Sequence, residues 1–121
     1  MPKILVVDDN AVSRELLRYV LKPLGFEIVE AASGLGALER IAVERPDLVL
    51  LDVDMPGLDG YGVLREVRCK QEWAGLRVVA VTAYAMQSDR DKAIAAGFDG
   101  YVTKPINAVQ IRKYVEDLLR T

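Results

Sequence analysis

Reactive polar side chains follow short apolar segments at four places in this sequence. Each segment is rich in valine, isoleucine and leucine, and each leads to a carboxylate, a hydroxyl or an ammonium group: Asp8 and Asp9, Asp52, Thr82, and Lys104. A carboxylate nucleophile, a metal, a hydroxyl and a lysine are the working parts of phosphoryl transfer to an aspartate. These residue types predict that chemistry if the fold brings them together.

Each of these residues alone also has an ordinary structural explanation. An aspartate after a strand is commonly a turn residue or a helix N-cap, and Thr82 can cap the loop that follows it. That explanation weakens for the whole set, because three carboxylates gathered at one place repel one another. We expect Lys104 and a bound cation to compensate their charge.

The chain offers mainly oxygen ligands for such a cation. It contains no histidine and a single cysteine, Cys69, to which we assign no role. Oxygen donors favour Mg²⁺ and make a zinc or copper site a poor fit. Mg²⁺ also keeps water ligands that phosphate oxygens replace. The expected cofactor is therefore Mg²⁺ and the expected substrate is a phosphoryl group.

The elements that must position these groups alternate regularly along the chain. Short apolar runs predict five strands, at residues 4–7, 28–29, 48–51, 78–81 and 101–102. Three of the runs are nearly continuous in apolar residues, which is typical of a parallel sheet covered on both faces. Between them, apolar residues recur at helical spacing and predict the buried stripes of four helices. The stripes are Leu16, Val20, Leu21 and Leu24; Leu35, Leu38 and Ile41; Leu64 and Val67; and Ile111, Val115, Leu118 and Leu119.

Two further segments are assigned by their end signals. Another helix, the fourth along the chain, is predicted to begin at Ser88, whose spacing to Asp91 resembles a capping box, and to stop at Gly97. This helix is short and rich in alanine, so it should pack least tightly. Gly34-Leu35-Gly36 lacks the third glycine of a dinucleotide-binding fingerprint, and Ser33 as a helix N-cap explains it better.

Five strand–helix units predict an α/β fold with a doubly wound parallel sheet. The carboxyl ends of parallel strands meet at one edge of such a sheet, and ligands bind in the crevice there. The acidic, hydroxyl and lysine side chains should therefore converge on one site.

Composition limits the classes of function. A length of 121 residues fits one domain, expected over residues 1–121, and 18 acidic against 16 basic residues give a net charge of -2 with no basic run. This charge argues against direct nucleic-acid binding. No apolar segment approaches the roughly 20 residues of a membrane span. With one cysteine and an N-terminus that reaches Asp8 after only four apolar residues, we expect a cytoplasmic protein.

At these positions the sequence resembles the receiver domains of two-component response regulators, the family of the chemotaxis regulator. The resemblance covers nearly the whole chain and is most similar in motif to receivers of hybrid kinases and to single-domain cell-cycle regulators. Four motifs carry it: Ile4-Leu5-Val6-Val7-Asp8-Asp9-Asn10, Leu51-Asp52-Val53-Asp54-Met55-Pro56-Gly57-Leu58-Asp59-Gly60, Val81-Thr82-Ala83, and Gly97-Phe98-Asp99-Gly100-Tyr101-Val102-Thr103-Lys104-Pro105.

The resemblance implies a fold and a site. The fold would be flavodoxin-like (βα)5, with five parallel strands in the order 2-1-3-4-5. Asp52 would accept a phosphoryl group from a partner's phosphohistidine. Mg²⁺ would be bound directly by Asp9 and Asp52, through water by Asp8, and by the backbone carbonyl of Asp54.

The same resemblance assigns roles around the phosphoryl group. Lys104 would pair with one phosphoryl oxygen and Thr82 would donate a hydrogen bond to another, while Tyr101 would swing inward as a switch when the threonine moves. The Lys104–Pro105 bond would be cis. Tyr101 also has a simpler interpretation, as a half-buried strand residue with no switching role.

Two residues are expected to tune the site. Asp54 lies two positions after the acceptor and Tyr84 two positions after Thr82. Our hypothesis is that both set how fast water reaches the acyl phosphate, Asp54 by its charge and Tyr84 by covering it.

The expected partners are a histidine kinase or histidine phosphotransfer protein and a downstream protein target. Val12 and Arg14, on the first helix, are expected to face outward, and that helix and the face around Tyr101 are expected to select partners. We expect a phosphoacceptor rather than an enzyme, a monomer or a phosphorylation-dependent dimer, and either a stand-alone relay protein or a receiver from a larger kinase.

Two alternatives remain at this point. Leu50-Leu51-Asp52-Val53-Asp54 also fits the signature of haloacid-dehalogenase-type phosphatases, although that signature should close the first strand and precede the other acidic pair. The second alternative is an adaptor that works without phosphorylation, which would not need the full acidic, threonine and lysine set.

Overall fold

The computed structural model describes residues 2–119 and contains one parallel sheet of five strands. The strand order is β2-β1-β3-β4-β5, which confirms the predicted doubly wound α/β fold and the implied order 2-1-3-4-5. The strands are β1 (Lys3–Val7), β2 (Glu27–Ala31), β3 (Leu48–Asp52), β4 (Arg77–Thr82) and β5 (Gly100–Thr103). Every residue of β3 is buried, as its apolar run predicts for the central strand.

Five helices connect and flank the strands. They are α1 (Ala11–Leu21), α2 (Gly34–Glu44), α3 (Gly60–Cys69), α4 (Gln87–Ala96) and α5 (Ala108–Leu119), with short 3-10 turns at Lys22–Leu24 and Gln71–Trp73. No helix within residues 2–119 is both long enough and apolar enough to cross a membrane.

The apolar core lies on both faces of the sheet. One cluster packs α1 and α5 against Ile4, Val6, Leu48, Leu50 and other side chains that point to that face. The other cluster packs α2, α3 and α4 against the alternate side chains of the same strands. Because successive strand residues point to opposite faces, nearly continuous apolar strands are needed to build both clusters.

Polar side chains at the helix N-termini cap free backbone N–H groups close to the site. Asn10 accepts from the N–H groups of Val12 and Ser13, and Asp59 accepts from the N–H of Gly62 at 2.9 Å. Ser33 accepts from the N–H of Gly36 at 3.0 Å, which confirms its predicted role as the cap of α2.

Three predictions about the helices are wrong in detail. Leu16 and Leu35 are 49% and 67% exposed, because the buried stripes pass through Leu17 and Ala37 instead. Helix α4 begins one residue before Ser88, since the Asp89 carboxylate accepts from the Met86 N–H and closes the first turn.

The prediction that α4 stops at Gly97 and packs loosely is confirmed. Gly97 has φ 115°, in the left-handed region that glycine tolerates best. Ala93 is the buried residue of α4, whereas Ile94 is 46% exposed. This helix therefore contributes little to the core.

Candidate functional site

The reactive side chains meet at the carboxyl edge of the sheet, as predicted. Asp8 and Asp9 follow the last residue of β1, and Asp52 and Thr82 are the last residues of β3 and β4. Lys104 follows the last residue of β5. Because the five strands are parallel, these chain ends lie on one side of the sheet.

Asp8, Asp9 and Asp52 form a cluster of carboxylates. Each offers one oxygen, and these oxygens lie within 4.8 Å of one another. Asp8 and Asp52 are buried, at 1% and 6% exposed, whereas Asp9 is exposed. The cluster therefore has two fixed, buried members and one member open to solvent.

Local backbone contacts orient the two buried carboxylates. Asp8 Oδ1 accepts from the Asn10 N–H at 2.9 Å, and Asp52 Oδ1 accepts from the Asp54 N–H at 3.0 Å. Both are aspartate turns in which the side chain binds the backbone two residues ahead. This geometry leaves the other oxygen, Oδ2, of each carboxylate turned towards Lys104.

Lys104, which follows β5, contacts two members of the cluster. Its Nζ lies 3.0 Å from Asp8 Oδ2 and 3.6 Å from Asp52 Oδ2. Its backbone N–H donates to the Thr82 carbonyl at 2.7 Å, so the lysine is anchored to the end of β4. The Lys104–Pro105 bond is cis, as the resemblance implied.

The pKa values of Asp52 and Lys104 both lie above their ordinary values. Burial raises the pKa of Asp52, and the nearby Asp8 carboxylate raises it further, against the Asp54 N–H and Lys104, which lower it. Burial alone would lower the pKa of Lys104, but its hydrogen bond to Asp8 and the charges of Asp52 and Asp8 raise it above its ordinary value. A further cation would relieve the repulsion between the carboxylates.

Thr82, Tyr84 and Tyr101 form a connected group beside the acids. Thr82 is 1% exposed, and its hydroxyl oxygen accepts from the Tyr84 N–H at 3.1 Å. The Tyr101 hydroxyl donates to the Tyr84 carbonyl, and the ring is 8% exposed. Burial raises the pKa of Tyr101, with a smaller contribution from Asp89.

The two predicted tuning residues face each other across the mouth of the site. The Tyr84 hydroxyl lies 3.5 Å from Asp54 Oδ2, at the long limit of a hydrogen bond, and Tyr84 is 52% exposed. A cavity of about 240 Å³ is lined by Tyr84 together with Thr82 and Tyr101. Both residues were predicted from the sequence to tune the site, but their contact was not.

Sequence reasoning misplaced Arg14. Val12 is 74% exposed as expected, but Arg14 turns back over the acidic turn and donates from Nη1 to the Asp8 carbonyl at 2.6 Å. The available signal was Glu30, an acid on an otherwise largely apolar strand, which lies 3.4 Å from Arg14 Nε. Such an acid indicates a basic partner on a neighbouring element.

The donor set fits a hard divalent cation. The cluster consists of carboxylate oxygens, two of which already face an ammonium group. Oxygen donors with a solvent-open member suit Mg²⁺, which retains part of its water shell. Soft metals that prefer thiolate or imidazole are a poor fit, because the chain has no histidine and its single cysteine, Cys69, is the last residue of α3.

Comparisons with known proteins identify the family. A model of the response regulator receiver domain matches residues 4–116. The chain is 41% identical over 118 residues to a Cyanophora paradoxa protein described as a probable transcriptional regulator, ycf27, covering 98% of this chain and 48% of that protein. It is 32% identical over 120 residues to the polar-differentiation response regulator DivK of Brucella anthropi, covering 98% of each.

One similar solved structure contains a magnesium ion. The receiver domain of the sensor histidine kinase PA1611 from Pseudomonas aeruginosa, with a magnesium ion coordinated in its active-site cleft, has a TM-score of 0.89 and 30% identity. That match covers 99% of this chain and 98% of the other. The chain thus spans nearly all of some relatives, about half of ycf27 and about a seventh of the sensor kinase CheAY of Helicobacter pylori. Since the family model spans most of the sequence and the fold agrees with it, this chain belongs to the response regulator receiver domains of two-component systems.

Proposed function

We propose that this chain accepts a phosphoryl group on Asp52 from a phosphohistidine of a partner protein, in a Mg²⁺-dependent reaction. The observation that carries the proposal is the cluster of Asp8, Asp9 and Asp52 with Lys104 bridging two of its members. The domain would extend over residues 1–121, of which the family model matches 4–116.

Four groups would hold the ion, Asp8 through water and the other three directly. These are the carboxylates of Asp8, Asp9 and Asp52, which lie close enough together, and the backbone carbonyl of Asp54, which the family resemblance adds. When bound, Mg²⁺ would neutralise the carboxylates and the oxygens of the incoming phosphoryl group. The raised pKa of Asp52 is the feature of the metal-free protein that such a cation would reverse.

The attacking atom would be Asp52 Oδ2. Oδ1 is occupied by the Asp54 N–H at 3.0 Å, whereas Oδ2 lies beside the Lys104 ammonium. In the transfer a bond forms between Oδ2 and phosphorus as the phosphorus–nitrogen bond of the phosphohistidine breaks, and the imidazole nitrogen keeps the electron pair. The rigid end of β3 would hold the nucleophile in line for this displacement.

Lys104 and Thr82 would bind the transferred group. Lys104 already lies within 3.6 Å of Asp52 Oδ2 and would pair with a phosphoryl oxygen. The Thr82 hydroxyl accepts a hydrogen bond from the Tyr84 N–H, so its own proton is available for another phosphoryl oxygen.

Phosphorylation would then switch the surface around Tyr101. Moving an equilibrium from mostly off to mostly on takes about 5.5 kcal/mol of differential binding. One charge-assisted hydrogen bond supplies about 1.5 to 3 kcal/mol. Thr82 alone is therefore insufficient, and Lys104, the metal ion and the Tyr101 contact to the Tyr84 carbonyl would act together.

The proposed partners are a histidine kinase or histidine phosphotransfer protein and a downstream protein. Relatives that include the sensor histidine kinase CheAY of Helicobacter pylori and the sensor protein GacS of Pseudomonas syringae support a kinase partner. We also propose a cytoplasmic location, where a thiol such as Cys69 stays reduced. The chain would serve as a signalling phosphoacceptor that assists its own phosphorylation and dephosphorylation, without nucleic-acid binding or membrane insertion.

The proposal is tested by incubating the protein with acetyl phosphate and MgCl₂ and measuring intact mass. We expect the mass of one phosphoryl group to appear on the parent protein, to vanish in Asp52→Asn and to require Mg²⁺. Asp117→Asn, on the exposed side of α5, is the matched control and should be phosphorylated like the parent. Mg²⁺-independent labelling, or labelling that survives in Asp52→Asn, would contradict the assignment.

The alternatives predict different results in the same assay. A haloacid-dehalogenase-type phosphatase would release phosphate from phosphomonoesters over many turnovers, whereas the proposed acceptor is labelled stoichiometrically. The family match to residues 4–116 and the position of Asp52 on β3 rather than on β1 disfavour the phosphatase. A phosphorylation-independent adaptor would still signal fully as Asp52→Ala.

A further inference from the structure

We propose that Arg14 is a positioning residue that holds the Asp8–Asp9 turn in the geometry that binds the metal ion. Arg14 Nη1 donates to the Asp8 carbonyl at 2.6 Å, across the first turn of α1. This inference rests on the proposed Mg²⁺ site and adds a residue whose side chain lies outside the acidic cluster.

The Asp8 carbonyl lies just beyond the regular hydrogen bonding of the sheet. The paired register of β1 ends at Val7 on both of its sides, and the Asp8 N–H still reaches the Ala31 carbonyl at 3.2 Å. The carbonyl itself points to the guanidinium group. A charged donor at a short distance makes this one of the stronger hydrogen bonds available to a backbone carbonyl.

The orientation of this carbonyl bears directly on Asp9. The Asp8 carbonyl, the Asp9 N–H and the Asp9 Cα belong to one planar peptide unit, so fixing the carbonyl also fixes the Cα from which the Asp9 side chain leaves the backbone. The Asp9 carboxylate makes no hydrogen bond or ion pair within residues 2–119. Its position therefore depends on the backbone that Arg14 holds.

Arg14 is itself held in place by Glu30 on the neighbouring strand β2. Glu30 Oε1 lies 3.4 Å from Arg14 Nε, and Glu30 Oε2 lies 2.9 Å from Arg18 Nη1. The Arg14 side chain is 18% exposed, whereas that of Arg18 is 60% exposed. Glu30 thus pairs with two arginines, of which Arg14 reaches the acidic turn.

Charge and positioning make opposite predictions for Arg14. Removing a positive charge near the acidic cluster should strengthen the binding of a cation, because it removes a repulsion. Removing a group that orients metal ligands should weaken binding, by about 10-fold or more for residues that support the ligands from behind. The sign of the change in affinity therefore separates the two roles.

The experiment measures Mg²⁺ affinity by following backbone amide signals during titration with MgCl₂. We expect Arg14→Gln to bind Mg²⁺ about 10-fold more weakly than the parent. Arg18→Gln is the matched control, since it removes the other partner of Glu30, and it should bind as tightly as the parent or slightly more tightly. In the acetyl phosphate assay, Arg14→Gln should need more Mg²⁺ for half-maximal rate while the rate at saturating Mg²⁺ stays near that of the parent.

Arg14→Lys keeps the positive charge and therefore tests the positioning role separately from the effect of charge. A single ammonium group cannot reproduce the fork that contacts both the Asp8 carbonyl and Glu30, so a smaller loss of affinity in the same direction is expected. Thermal denaturation without added metal shows whether Arg14→Gln folds. If it does not fold, the Mg²⁺ affinity of Arg14→Lys alone tests the inference. Affinity equal to or above that of the parent in the deciding variant overturns the inference, whereas a parent protein without Mg²⁺ binding at Asp9 and Asp52 would instead overturn the proposed function.

Discussion

Asp52 carries an electrostatic penalty in the metal-free protein. Its carboxylate is buried beside Asp8, and both effects raise its pKa, although the Asp54 N–H and Lys104 act in the opposite direction. A carboxyl whose pKa is higher in the folded protein than in the unfolded chain contributes stability at pH below its ordinary value of 3.8. That contribution is lost as the pH rises through the folded pKa.

Asp52→Asn should therefore stabilise the metal-free protein at pH 7. We expect a gain of about 1 kcal/mol, the usual scale for one substitution, or about 4 °C in the unfolding midpoint. Lys104 keeps its closer partner Asp8, at 3.0 Å, so little is lost with the Asp52 contact at 3.6 Å. The advantage over the parent should shrink as the pH falls towards 3.8.

Calorimetric unfolding of the parent, Asp52→Asn and the control Asp117→Asn at several pH values checks this expectation. An Asp52→Asn protein that is less stable than the parent at pH 7, without metal, would show that Lys104 outweighs both burial and Asp8.

Tyr84 and Asp54 are proposed to control how fast water reaches an acyl phosphate on Asp52. The Tyr84 hydroxyl is 3.5 Å from Asp54 Oδ2, and both residues are exposed. We expect Tyr84→Ala to shorten the lifetime of the acyl phosphate by about tenfold, equivalent to about 1.4 kcal/mol, because the ring no longer covers it. Asp54→Asn should lengthen the lifetime, because a carboxylate accepts a proton from attacking water better than an amide does.

Tyr84→Phe provides the control for the ring itself. It keeps the ring and removes the hydroxyl contact to Asp54, so the lifetime of the acyl phosphate should stay close to that of the parent. Following the decay of labelled protein after removal of the phosphodonor gives all four lifetimes. Unchanged decay in both Tyr84→Ala and Asp54→Asn would remove these residues from the tuning role.

At the level of elements, the loosely packed α4 lies next to Thr82 and Tyr101, the residues of the proposed switch. Ala93 is its buried residue, and its first turn is closed by the Asp89 carboxylate rather than by apolar packing. Elements with few buried apolar contacts open at low free energy and are the ones that move in regulation. The segment from Thr82 to α4 includes the Tyr84 carbonyl to which Tyr101 donates, so in the proposed switch a movement of Tyr101 would be coupled to the position of α4.

Replacing Tyr101 should separate phosphorylation from response. Tyr101→Ala removes the ring and the hydrogen bond to the Tyr84 carbonyl. We expect phosphorylation of Asp52 to continue. Phosphorylation-dependent changes around α4 should fall at least severalfold, because one hydrogen bond contributes about 1 kcal/mol. Tyr101→Phe, which removes the hydroxyl alone, should give an intermediate effect. Amide spectra with and without beryllofluoride measure the response, and an unaltered response in Tyr101→Ala would support a purely structural tyrosine.

The start of α3 packs against the end of β3 without room for a side chain. A Cβ added at Gly60 would lie 2.6 Å from the Val53 Cα and 2.8 Å from the Asp52 carbonyl oxygen. Both neighbours are backbone atoms, so relief requires a shift of the segment that carries Asp52. Gly60 is therefore needed to keep Asp52, the proposed nucleophile, in place.

Gly60→Ala should reduce both stability and phosphorylation. Overpacking of this kind costs about 1 to 3 kcal/mol, and the displaced Asp52 should slow labelling by acetyl phosphate. Gly75→Ala is the control, because a Cβ there meets nothing within 4 Å. Chemical denaturation and the labelling rate measure the two effects. Parent-like behaviour of Gly60→Ala in both would mean that α3 shifts without moving Asp52.

At the level of the whole molecule, the apolar core and the candidate site lie on different parts of the sheet. Two apolar clusters on its faces hold the fold, whereas the carboxylate cluster and Lys104 lie at the carboxyl edge. Ion binding at that edge should stabilise the entire domain, because Mg²⁺ binds the folded state alone. We expect the unfolding midpoint to rise with MgCl₂ and to return to its starting value with EDTA. At a Mg²⁺ concentration 100 times the dissociation constant, the free energy of unfolding should increase by about 2.7 kcal/mol. Asp9→Asn should abolish the rise.

Much of this architecture follows from local sequence. The apolar runs predicted all five strands, since a residue buried on both faces of a sheet leaves a continuous signal, and the chain order of Asp8, Asp52, Thr82 and Lys104 predicted their shared edge. Ser33 and Gly97 marked helix ends correctly, because capping depends on neighbouring backbone groups.

Other features were decided by residues distant in the chain. Helical spacing alone did not distinguish Leu16 from Leu17 or Leu35 from Ala37, because which side of a helix is buried depends on the sheet beneath it. The contacts of Arg14 with the Asp8 carbonyl and Glu30, and of Tyr84 with Asp54, join separate elements and leave no periodic pattern. The sequence by itself determined which groups could do chemistry and the edge on which they meet. Tertiary packing decided which oxygen of each aspartate faces Lys104 and which arginine supports the acidic turn, because those distances depend on how the strands and helices are packed.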